Sequence, residues 1–175
     1  MLGFLRFVGL INAAVWFGAA LFITLGVEPA ATSSEMRDLL SQRNFPYFSI
    51  AVSQLIIGRF LQVYLVCTLV ALLHLAVEWL YLGKYPHRLW LGFLVCLGLI
   101  GVGQTYWIFP KLRSWHYLRF TPQGRNQAID RSYRYGQAFF EGLNVLAIGG
   151  LGFYLWRLAH PPDVARFVTT SKFRG

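Results

Sequence analysis

A few polar and ionisable residues interrupt otherwise apolar stretches of this chain, and they are the residues that could do chemistry. His74 and Glu78 stand four apart, so on a helix they share a face. A carboxylate beside an imidazole can relay a proton, or it can simply hold the ring in place. Asn12 falls at a similar depth, counted from its own helix end, and is an alternative hydrogen-bond partner for His74. A second layer holds Gln54, Arg59 and Gln62, then Gln104, then Gln137, Glu141 and Asn144. An Arg59–Glu141 pair would neutralise two charges that are costly in hydrocarbon. That layer reads either as an interhelical clamp, with Arg59 free to reach headgroups, or as a polar vestibule for an ion, a proton or a lipid headgroup.

Metal and haem chemistry find little support. Di-iron bundles use two Glu-x-x-His motifs and two further Glu residues. Here there is one His74-x-x-x-Glu78, with no second set. A haem held by two histidines would need a partner for His74, yet His87, His116 and His160 lie at or beyond helix ends. No Cys-x-x-Cys, P-loop, dinucleotide fingerprint or nucleophile elbow occurs. The expectation is therefore no cofactor, no metal and no catalytic residue.

The elements that must position these residues are long apolar runs. Helices are expected at about 4–27, 47–82, 89–109 and 126–158. Each is long enough to cross a bilayer, which takes about 20 residues. The fold class expected is all-α: an integral membrane four-helix transmembrane bundle, as one domain over 1–160, with a polar basic tail at 161–175. Only 13% of the chain is charged, which leaves no soluble catalytic domain between the helices. The first run is too long for a signal peptide and is expected to be a retained helix. Thr32-Ser33-Ser34-Glu35 reads as a capping box opening a short interfacial amphipathic helix. Glu28-Pro29 and Pro110 are expected to end the first and third helices. The second helix is expected to tilt or to bend near Gly58. Residues 83–87 read as a tight turn, and Thr121-Pro122 as a helix start.

The formal net charge is +9. With no nucleic-acid motif beside it, the charge reads as anchoring at membrane ends. Basic residues divide almost evenly between the two sides: Arg6, Lys84 and Arg157 on one, Arg37, Lys111 and Arg125 on the other. Orientation therefore stays open. Cys67 and Cys96 lie at different depths in apolar runs and are expected to pack as free thiols. Most tryptophans lie near helix ends, as in an aromatic belt, but Trp16 is near mid-span.

Small residues recur at helical spacing. Gly98 and Gly101 do so in the third helix, and Ala138, Gly142, Gly149 and Gly152 in the fourth. Such stripes let helix backbones approach closely in lipid, either within one bundle or against another protein.

The chain resembles the bacterial relatives of transmembrane protein 205, grouped as domain of unknown function 4149. The resemblance is carried by residues 10–20 (LINAAVWFGAA), 45–48 (FPYF), 74–83 (HLAVEWLYLG) and 109–113 (FPKLR), and by Asn144. It implies a four-helix membrane protein, without implying an activity. Members typically carry a His seven residues before that Asn; here the position is Gln137.

The leading expectation is a non-enzymatic accessory or interaction subunit of the bacterial inner membrane, with the bilayer and a membrane-protein partner or a second copy as its contacts. The runner-up is a small transporter or ion pathway using Arg59, Glu141, His74 and Glu78. A haem or quinone redox protein rests on His74 alone.

Overall fold

The computed structural model describes residues 2–82, 88–121 and 127–160. The expected turn at 83–87, the helix start at Pro122 and the tail at 161–175 lie outside them. The described residues form helices joined by short turns, with no strand. Four helical stretches are long and apolar enough to cross a membrane: Phe7–Ala31, Tyr47–Leu80, Leu89–Arg119 and Gln127–Ala159.

Pro29 and Pro110 do not end their helices. The first rod is α1 (Leu2–Phe22), a wide π turn (Ile23–Val27) and α2 (Glu28–Ala31). The third is α4 (Arg88–Gly103), a second π turn (Gln104–Ile108) and α5 (Phe109–Arg119). Each π turn runs directly into an X-Pro pair, Glu28-Pro29 or Phe109-Pro110. A helical proline lacks an N–H and crowds the carbonyl four residues back. The π turn absorbs that conflict by widening the ladder by one residue. Glu28 N–H reaches Ile23 O, and Phe109 N–H reaches Gln104 O. The expected stops at Pro29 and Pro110 are therefore corrected: the chain stays helical to Ala31 and Arg119.

α3 (Ser34–Leu82) is one long element, broken only at Ser41, where φ is 59° and ψ 154°. The stretch before Ser41 is the expected short helix. Its start is one residue later than the capping-box reading placed it. Ser33 Oγ accepts from Met36 N–H at 3.2 Å, while Thr32 Oγ1 donates to Pro29 O at 3.1 Å. No break occurs at Gly58; a Cβ there would lie 3.3 Å from the Phe109 ring. α6 (Gln127–Ala159) completes the fold.

α1 packs against α3 and α6, α3 against α4, and α5 against α6. Trp16, Leu61 and Leu151 are fully buried at the centre. The Trp16 and Tyr64 rings meet edge-on at 4.9 Å, and Tyr64 Oη donates to Leu97 O at 3.0 Å. Outward-facing residues such as Leu55, Val66, Leu69, Leu99, Val145 and Leu146 are exposed. A large apolar surface of this kind is abnormal in water. Both cysteines are free, as expected; Cys67 is buried and Cys96 exposed.

Candidate functional site

The polar residues expected near the chain ends do not form one cluster. Asn12 Nδ2 donates to Cys67 O at 3.0 Å, joining α1 to α3. His74 does not meet Asn12. Its Nε2 lies 2.8 Å from Leu5 O, and a carbonyl only accepts, so Nε2 carries the proton. Gly9 makes room for this contact, since a Cβ there would lie 2.8 Å from Nε2. The Glu78 carboxylate makes no bond to His74; its charge acts on Tyr154 of α6. The expected relay is thus two separate helix contacts.

In the second layer, Gln104 and Asn144 meet. Gln104 Nε2 donates to Asn144 Oδ1 at 3.0 Å, and both residues are buried. Gln104 Oε1 and Asn144 Nδ2 make no further bond. The second π turn begins at Gln104 and places this residue in the core. Arg59 and Glu141 do not meet. Arg59 is exposed and donates from Nη1 to Gln62 Oε1 at 3.2 Å on its own helix. Glu141 Oε1 instead accepts from Gln137 Nε2 at 2.9 Å. Matching depths put the two charges in one layer, but azimuth sends Arg59 outward.

Glu141 faces a cavity of about 180 Å³ near the loop end of the helices, walled by α2, α3, α5 and α6. Its polar lining includes Glu28, Ser53, Gln54, Arg119, Tyr133 and Gln137; its apolar lining includes Ile57, Leu112 and Phe140. The first π turn delivers Glu28 to this wall, and the charges of Glu28 and Glu141 act on each other. Neither carboxylate has an ion-pair partner among the described residues. The ion pairs there are Arg119 Nη2–Asp130 Oδ1 at 2.5 Å and Arg134 Nε–Asp130 Oδ2 at 3.0 Å. Arg119 also lies 4.8 Å above the Tyr133 ring. This cluster clasps α5 to α6 beside the cavity.

His116 is buried and stacks on Tyr47 at 5.5 Å, with Phe120 and Tyr133 nearby. The Tyr47 backbone approaches the ring, yet neither ring nitrogen makes a hydrogen bond of normal geometry. Sequence reasoning placed His116 beyond a helix end and passed over Glu28, Ser53, Arg119 and Tyr133. Glu28 was hidden by its proline, which reads as a stop. Arg119 and Tyr133 sit in stretches whose basic composition masks an inward face, and Ser53 is a lone hydroxyl in an apolar run.

The small-residue stripes divide sharply. A Cβ at Gly101 would lie 2.4 Å from Tyr64 Cδ1, and one at Gly98 would lie 2.8 Å from Thr68 Cγ2. Gly152 packs on Phe17 at 3.3 Å. These three are spent inside the fold. Gly142 and Gly149 are exposed, with nothing within 4 Å of an added Cβ, and Ala138 is exposed on the same helix.

Among the described residues no group of three His, Cys, Asp or Glu side chains could hold a metal ion. Comparison with known proteins found no matching family model, no matching curated protein and no matching solved structure.

Proposed function

We propose that this chain is a multi-pass membrane protein that works by docking another membrane helix on the outer face of α6, as a non-enzymatic accessory subunit. One observation carries the reading. Ala138, Gly142 and Gly149 are exposed at four- and seven-residue spacing, and among the described residues no atom lies within 4 Å of a Cβ added at either glycine. In lipid, association depends on close backbone approach, and small residues permit it. The exposed leucines and valines around the helices support the bilayer as solvent. The resemblance to the transmembrane protein 205 relatives fits this reading and favours a bacterial inner membrane.

The pathway reading fares worse on geometry. Of its four residues, Glu141 alone lines the cavity. Arg59 points outward and His74 is held by Leu5.

Gentle solubilisation of native membranes carrying a tagged copy, followed by native mass spectrometry, tests the proposal. The expected result is an assembly of defined mass larger than one chain, either with another protein or with a second copy. A bare monomer under conditions that preserve other membrane complexes would overturn it.

A further inference from the structure

The cavity beside Glu28 and Glu141 has properties that the docking face does not explain, and they stand independently of it. Ser53 and Tyr133 both line it and are only 8% and 6% exposed. Among the described residues neither hydroxyl has a hydrogen-bond partner. Neither oxygen is sealed in packing either, since the fully buried unbonded side-chain atoms belong to Trp16, Gln104, His116 and Asn144. Both residues line the cavity, and neither hydroxyl oxygen is fully enclosed by packing. Two unused hydroxyls and two carboxylates without cationic partners therefore converge on one small space.

Two carboxylates close enough to repel each other, with no cation between them, are unfavourable, and a bound cation relieves the cost. Arg119 lines the same cavity but is committed to Asp130 and to the Tyr133 ring. The apolar walls argue against a bare metal ion, because a hard cation such as calcium takes six to eight oxygen ligands. An ammonium carries three donors and tolerates aromatic and aliphatic neighbours. The volume of about 180 Å³ is close to the roughly 150 Å³ known to admit a benzene-sized ligand.

We infer that this cavity binds a primary alkylammonium group, with Glu28 and Glu141 accepting its N–H donors, the Ser53 and Tyr133 hydroxyls completing the polar shell, and Ile57, Leu112 and Phe140 enclosing its stem. The group can come from a free amine or from the headgroup of an aminophospholipid.

The test uses the full chain purified in a neutral maltoside detergent. Calorimetry with n-butylammonium is set against 1-butanol, which has a similar stem and no charge. Native mass spectrometry compares retention of phosphatidylethanolamine with phosphatidylglycerol. A free-amine site binds butylammonium at least about tenfold more tightly than butanol. A headgroup site instead retains phosphatidylethanolamine selectively. Either preference should fall at least about tenfold in Glu28→Gln/Glu141→Gln, which keeps the cavity's shape. Tyr133→Phe and Ser53→Ala keep both charges and should weaken binding more modestly, so they report even if the double variant does not fold. Equal handling of amine and alcohol together with no lipid preference would overturn the inference. So would a preference unchanged in all of these variants.

Discussion

The side chain of Gln104, at the head of the second π turn, donates to Asn144 Oδ1 on α6 at 3.0 Å, with both residues buried. The contact ties the third helical rod to the last where the chain is most enclosed. Replacing either residue by leucine strands a buried polar group and should destabilise the protein by about 1–3 kcal/mol. The double variant should cost less than the sum, with a coupling of about 1 kcal/mol. Reversible unfolding of the four proteins in mixed micelles measures this. Strictly additive losses would show that the bond carries no energy of its own.

Gly101 and Gly149 should respond in opposite ways to one added methyl group. At Gly101 the Cβ would meet Tyr64 at 2.4 Å, and that ring is pinned by Leu97 O and by Trp16. Gly101→Ala should therefore cost about 1–3 kcal/mol. At Gly149 the Cβ meets nothing, and alanine is the better helix former. Gly149→Ala should leave the isolated chain unchanged or more stable by up to about 1 kcal/mol. Equal responses in thermal melting would contradict the assignment of the two faces.

Ser41 is the one non-glycine residue with positive φ among the described residues. Its φ of 59° with ψ of 154° lies in a region that costs a side chain about 1–3 kcal/mol. Ser41→Gly removes the clash and should stabilise the chain by about 1 kcal/mol, after allowing for glycine's greater freedom when unfolded. A loss of stability would mean that the Ser41 side chain has a compensating role.

These positions show why part of the fold was legible and part was not. Apolar runs set the number and approximate limits of the long helices, because burial by lipid or protein demands them. Proline chemistry, read locally, implied stops at Pro29 and Pro110. The ladder instead widened by one residue before each, and no local signal distinguishes those outcomes. Depth could be counted along each helix, which put Arg59 beside Glu141 and His74 beside Asn12. Azimuth depends on how rods pack, and it sends Arg59 outward and His74 to Leu5 O. The same limit governs the glycines. Spacing marked Gly98, Gly101, Gly142 and Gly149 alike, and packing alone separated the enclosed pair from the open pair. Glu28 escaped notice because its role depends on the π turn that carries it to the cavity.

The most direct measurement compares Gly142→Leu/Gly149→Leu with the unaltered chain, by native mass spectrometry after gentle solubilisation and by thermal melting. Among the described residues an added Cβ meets nothing within 4 Å at either position, so the melting temperature of the chain itself should barely move. The account predicts that the larger assembly is lost while the chain stays folded. An assembly of unchanged mass and abundance in the double variant would contradict the claim that the outer face of α6 docks a partner helix.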